Sequence, residues 1–362
     1  MIVYLSVMFL CCILLYVMRN NSNKMAALAI VFGIIWLMLA LQEGWGGDYE
    51  SYVYHFNEIK GLGFKDVLRD DSYHGEVGYK IILWLMPTFH TWFIVNMGVW
   101  CFAMAFFFYH FVPQKTWYMA ILLFFLDKPV LMGMVGSFCR MAIASSFLVF
   151  AYYLVCKDKF KWLALVLLLC GFLFHKSIIL MAPFVFIKPK RGNLNNYVVI
   201  ALFVVLYLFS WIMPSSWTNI VEGIVQNFDT IKEYEYYLEY NQVADASRGL
   251  SLIIFFYWIY LLALHSKKNN YENGEYFVIK LALFRIVFDI LPAVGLSSRI
   301  FYFIDVYFFA GLLCVFNRLP KNDPNRWGIV VSLLLMIWYM GFHQYVRTPF
   351  YLEHWASYNY IF

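Results

Sequence analysis

Apolar blocks long enough to cross a bilayer follow one another along almost the whole chain, separated by short basic clusters. A crossing needs about 20 residues, and such blocks lie near residues 2–18, 25–41, 91–112, 197–213, 249–265, 276–291, 300–316 and 327–346. With 63% of the 362 residues hydrophobic and 14% charged, against roughly a quarter charged in soluble domains, no soluble core hides this much apolar side chain. Lipid is the solvent for most of it. Uninterrupted blocks, rather than short alternating runs, select helices over a barrel. The expected fold is an all-α polytopic membrane protein, one integral membrane domain over residues 1–362.

Three stretches need closer reading. The first block, Met1 to Met18, lacks the basic start and small-residue cleavage site of a signal peptide and reads as the first crossing. From Trp117 to Cys156 there is room for two crossings, broken by Asp127-Lys128-Pro129 and by Gly133 and Gly136. From Trp162 to Ile187 the block is too long for one helix and too short for two full ones, with basic clusters at Lys157–Lys161 and Lys188–Arg191 on either side. If both clusters are cytoplasmic, the segment enters and returns, as two short helices or a re-entrant hairpin with His175-Lys176 at its tip.

Positive loops at every second connection predict about twelve transmembrane or re-entrant helices with both termini outside. The long connections 42–90 and 214–248 then lie on the outer face as caps carrying short helices, and 78–90 reads as a partly inserted helix. The net charge of +5 sits mainly in these loops, where it orients the chain and does not point to nucleic acid. All seven cysteines lie in or beside apolar blocks without C-x-x-C spacing, so neither a disulfide framework nor a zinc site is expected.

Ionisable groups within the membrane are costly and mark candidate function. Counting from basic loop residues at about 1.5 Å per residue puts Arg140 roughly 25 Å above Lys157 and His175 roughly 21 Å above Lys161. The same count puts Asp305 and Arg299 roughly 20 and 28 Å above Arg318, and His343 roughly 25 Å above Arg326. All five fall in the outer half of a core about 30 Å thick, and Arg347 follows just beyond. Together they imply a polar cavity open to the outer face, where arginines grip phosphate bidentately and histidine or carboxylate handles a proton. Plainer readings stand beside each. Arg299 near a helix end snorkels, Arg285 pairs with Asp289 within one helix, and Asp48 is only an N-cap for a helix bearing Tyr49, Tyr52 and Phe56.

The ordered set Gly47-Asp48-Tyr49-x-x-Tyr52-x-x-x-Phe56, Glu76-x-Gly78-Tyr79, Arg140-x-Ala142, Phe174-His175-Lys176-Ser177, Arg299-x-x-Tyr302 and Pro349-Phe350-Tyr351 resembles the EpsG-like, Wzy-type polysaccharide polymerases. One departure is Met141, where the family often has glutamine after the arginine. The resemblance implies a GT-C-like glycosyltransferase of the bacterial inner membrane. It would join oligosaccharide repeat units carried on undecaprenyl pyrophosphate at the periplasmic face, with a chain-length regulator as a partner. It implies catalytic roles for Asp48, His175, Arg140 and Arg299, with Asp48 or His175 as base. Substrate contacts are expected from Tyr49, Tyr52, Glu76, Lys176, Tyr302, Asp305, His343 and Arg347. No cofactor or metal is expected, because pyrophosphate is a good leaving group, arginine supplies positive charge and no Asp-x-Asp is present. Two rivals are a flippase for lipid-linked sugars, which Lys280 and Arg285 deeper in the membrane would suit, and a membrane O-acyltransferase modifying polysaccharide.

Overall fold

The computed structural model describes residues 2–43, 48–69, 76–126, 139–157, 160–187, 201, 205, 254–263, 271–290, 295–336 and 359–360, with backbone only for 2, 287–290, 295–302 and 359–360. The chain divides into two compact units, Met1–Ile187 with Leu333–Phe362, and Lys188–Ser332. Nearly every described residue is helical. Among the described residues, three helices are long and apolar enough to cross a membrane: Val3–Asn20, Phe89–Phe111 and Cys139–Cys156.

In the first unit, α1 (Ile2–Val17) and α2 (Lys24–Ala40) are followed by a two-residue strand β1 (Gln42–Glu43). Then come α3 (Tyr49–Lys60), α4 (Phe64–Arg69), α5 (Val77–Leu85), α6 (Phe89–Phe111), α7 (Trp117–Leu126), α8 (Cys139–Cys156) and α9 (Lys161–Phe172). A 3-10 helix, Lys176–Phe186, follows α9. Helix starts are set by local chemistry. The Asn23 side chain accepts from the Ala26 N–H and Thr88 from Thr91, each satisfying a donor that has no partner in the first turn. Pro113 follows the end of α6, where it cannot continue the ladder. β1 pairs antiparallel with β2 (Asn359–Tyr360).

α8 is the most enclosed of the three long helices, 72% of it buried against 22% of α1. Phe9, Ile13 and Val17 of α1 are outward-facing and 58%, 60% and 73% exposed, an arrangement suited to lipid and costly in water. α8 packs on α6, α9 and the 3-10 helix. Its buried Ala142, Ala144, Ser145, Ser146 and Ala151 allow close approach, while both serine hydroxyls donate to the Ala142 carbonyl. The Tyr152 hydroxyl donates to the Met181 carbonyl at 3.1 Å and pins the 3-10 helix to α8.

The segment expected to enter and return is thus two short helices joined at Leu173–His175. The second half is 3-10, with Pro183 inside it and a histidine cap at its start. Among its described residues the Trp117–Cys156 block carries one helix ending at Leu126 and another starting at Cys139. The inserted helix expected over 78–90 is the nine-residue α5, and α6 already starts at Phe89.

In the second unit, α10 (Ile254–Ala263) precedes α11 (Asn273–Ile290), α12 (Gly295–Arg318) and α13 (Pro324–Met336), whose last turn falls in the first unit. α11 and α12 pack along their length. A Cβ at Gly311 would lie 2.7 Å from Ala282 Cβ and 2.8 Å from the Val278 carbonyl, so only glycine lets the two helices cross this closely. Arg285 Nε donates to Asp305 Oδ1 at 2.5 Å across this pair, and Arg318 Nη2 to Glu275 Oε2 at 2.9 Å near its other end. The expectation for Arg285 was a partner within its own helix; its recorded carboxylate is on the next one, and the side chain of Asp289 lies outside the described residues. The spans expected near 197–213, the cap 214–248 and the closing Pro349-Phe350-Tyr351 also lie outside the description.

Candidate functional site

The isolated arginine of α8 has a carboxylate waiting for it. Asn96 of α6 donates to the Cys139 carbonyl at 3.0 Å, which fixes the first turn of α8 and with it Arg140. Arg140 Nη1 donates to Glu76 Oε2 at 2.6 Å, a charge-assisted bond. Glu76 Oε1 accepts the backbone N–H of Lys176 at 3.0 Å. One carboxylate thereby joins segments 64 and 100 residues away.

A second bond locks the same junction. The Gly78 N–H donates to the Leu173 carbonyl at 2.8 Å, and a Cβ on Gly78 would lie 2.7 Å from that oxygen. Glycine is required here for close approach. Next to it, the buried Tyr79 ring lies under the Arg140 guanidinium, 5.6 Å from centroid to Cζ. Tyr79 in turn stacks on His55 and meets Tyr52 and Trp92 edge-on.

His175 is buried, and its Nδ1 lies 2.7 Å from the Ser177 hydroxyl and accepts the Ser177 N–H at 3.3 Å. A ring nitrogen that accepts a backbone N–H carries no proton, so the hydrogen bonds assign the neutral tautomer with its proton on Nε2. Lys176 is half-buried at the start of the 3-10 helix. Asp48 occupies the N-cap position of α3, but its carboxylate makes no capping bond; its backbone carbonyl accepts from Tyr52 at 3.0 Å. The Asp48 side chain is exposed, one helical turn before the buried Tyr52. Tyr49 and Tyr52 point inward from α3, both buried.

Of the residues singled out in the sequence, Glu76, Arg140, Tyr52, His175 and the Lys176 backbone therefore gather around one junction, with Asp48 one helical turn before Tyr52. Asp305 belongs to the second unit and is held by Arg285. Arg299 and Tyr302 lie in α12, their side chains outside the described residues, and His343 and Arg347 lie outside the description altogether. Sequence reasoning does not single out Asn96 or Tyr79 as site residues. Tyr79 was within reach, since it belongs to the quoted Glu76-x-Gly78-Tyr79 motif. Asn96 carries no local signal beyond a lone amide in an apolar helix. Among the described residues no cluster of three or more His, Cys, Asp or Glu side chains is arranged to hold a metal.

The EpsG family model matches residues 25–360, from the first turn of α2 to the end of β2, with the whole junction inside the match. The chain belongs to the EpsG family. No curated protein and no solved structure matches it. Membership together with the long apolar helices makes this EpsG-family chain a membrane protein of the polysaccharide-polymerase type.

Proposed function

We propose that this EpsG-family protein is a glycosyltransferase that joins oligosaccharide repeat units carried on undecaprenyl pyrophosphate into a surface polysaccharide. The proposal includes a GT-C-like architecture of about twelve crossings, an inner-membrane location with the site facing the periplasm, and a chain-length regulator as partner. The observation that carries it is the Glu76–Arg140 junction. A guanidinium with 20% side-chain exposure is held by a carboxylate at the start of a span, beside an exposed aspartate and a neutral histidine.

A guanidinium has five donors, enough to hold a carboxylate at one corner and grip phosphate oxygens at another. In the reaction, a sugar hydroxyl of the incoming unit attacks the anomeric carbon of the growing chain. The new carbon–oxygen bond forms as the bond to pyrophosphate breaks, and the electron pair leaves with the lipid pyrophosphate. Arg140 stabilises the charge that develops there, with His175 Nε2–H as a second donor. Asp48 takes the hydroxyl proton. His175 Nδ1 is engaged by Ser177, which leaves Asp48 as the base of the two. Nothing in this step needs a metal or cofactor. The flippase reading leaned on Lys280 and Arg285 in the deeper membrane, and the Asp305 partner gives Arg285 a structural role instead.

The test is the polymer ladder formed by Arg140→Ala in cells, normalised to folded enzyme in the membrane. Long polymer should fall by about 10²- to 10³-fold while lipid-linked single units accumulate. Wild-type ladders at equal enzyme would overturn the assignment.

A further inference from the structure

A groove of about 710 Å³ opens between β1, the first turns of α3 and the start of α6, a volume within the usual range for small-ligand sites, roughly 300–1,000 Å³. Tyr49 and Phe89 form its buried floor, their rings 5.3 Å apart, and Tyr54 stands at the rim with 65% exposure. Glu43, Glu50 and His90 add polar groups around it, both carboxylates exposed.

The floor is continuous with the junction described above. Phe89 touches Trp92 at 5.3 Å, Trp92 touches Tyr79 at 5.6 Å, and Tyr79 underlies Arg140. Asp48 directly precedes Tyr49 in the chain, and so sits at the edge of the groove whose floor Tyr49 forms. The two ends of this aromatic wall differ in charge, with a guanidinium paired to Glu76 at one and two exposed carboxylates at the other. Arg140 lies at one end, Glu43 and Glu50 at the other.

That polarity sorts a lipid-linked saccharide. Carboxylates repel pyrophosphate and accept hydrogen bonds from neutral hydroxyls, while open aromatic faces cover the apolar faces of sugar rings. Carboxylates at the rim also disfavour acidic sugars.

We propose that this groove is the saccharide subsite for the acceptor. It holds the terminal, uncharged sugars of the incoming unit so that their hydroxyl meets Asp48. The proposal rests on the polymerase reading for the identity of its ligand. The sugars seated here carry no carboxylate or phosphate.

The experiment uses full-length protein in membranes supplied with the host's own lipid-linked repeat units, labelled in the sugar. The photoreactive variant Tyr54→p-benzoylphenylalanine is irradiated and then treated with mild acid, which cleaves the sugar–pyrophosphate bond. Label that stays on the protein was captured through the saccharide; label that leaves was captured through the lipid end. The groove predicts retained label at position 54 and none at Leu68, an exposed position on α4. Glu50→Gln and Tyr54→Ala, both at exposed positions, should each raise the apparent KM for repeat units about fivefold to tenfold with kcat kept. Polymerising protein with no retained label at position 54, or variants with unchanged KM, would overturn the subsite. Retained label at position 54, with a wild-type protein that forms no polymer from the same units, would instead remove the polymerase reading and leave a saccharide site standing.

Discussion

Among the described residues, three arginine–carboxylate pairs join separate helices, and the two more enclosed ones, Arg285–Asp305 and Arg140–Glu76, are built differently. Arg285 and Asp305 are 20 residues apart on consecutive helices, with 11% and 5% side-chain exposure. Arg140 and Glu76 are 64 residues apart, the arginine is 20% exposed, and the carboxylate also takes a backbone N–H from a third segment. The first pair fastens one helix hairpin. The second gathers three motifs at the mouth of a span, with an exposed aspartate and a saccharide-sized groove nearby. Chemical type alone does not separate a fastener from a site; long-range convergence and access do.

The larger effect is expected at the first unit's pair. Glu76→Gln keeps an acceptor for the Lys176 N–H but removes the charge that aims Arg140. Turnover per folded enzyme should fall by at least about tenfold through kcat, with no rise in KM, because a small misplacement of a charge-stabilising group is costly in rate. A rise in KM with normal kcat would make Glu76 a substrate contact instead.

A smaller effect is expected at the other pair. Arg285→Met alone strands a buried carboxylate, at a cost on the order of 3 kcal/mol, and should lower the amount of folded protein. The double variant Arg285→Met with Asp305→Leu should restore that amount, since apolar replacement of a buried pair is often neutral. Its turnover per folded enzyme should stay within about twofold of wild type, as expected when no transition-state interaction is lost. Loss of polymer from well-folded double variant would move Asp305 into the site and erase the distinction.

Much of the fold is legible in the sequence because lipid imposes a length rule. The blocks at 2–18, 25–41 and 91–112 coincide with α1, α2 and α6 to within a few residues. Paired basic clusters predict a there-and-back path over 162–187, and two short helices do pack on each other there. Periodicity does not reveal that the returning half is 3-10. That form goes with the His175–Ser177 cap and Pro183, which has no N–H to give an α-helical ladder. The site is legible as motifs and not as a machine. An arginine alone in an apolar helix requires a partner, but nothing local says that Glu76, rather than Asp48, provides it at 2.6 Å. Arg285 shows the same limit, since a carboxylate four residues away on its own helix is the partner that spacing suggests, while Asp305 on the next helix also binds it.

The central claim, that Arg140 grips pyrophosphate rather than merely holding Glu76, is tested most directly by Arg140→Lys. Lysine can still donate to Glu76 and preserve a structural pair, but it loses the planar fork that contacts two phosphate oxygens. The measurement is polymer length and lipid-linked single units per folded enzyme. The account predicts a wild-type amount of folded protein, polymer reduced by about tenfold or more, and accumulated single units. Wild-type ladders from Arg140→Lys would contradict it and leave the Glu76–Arg140 pair as a fastener like Arg285–Asp305.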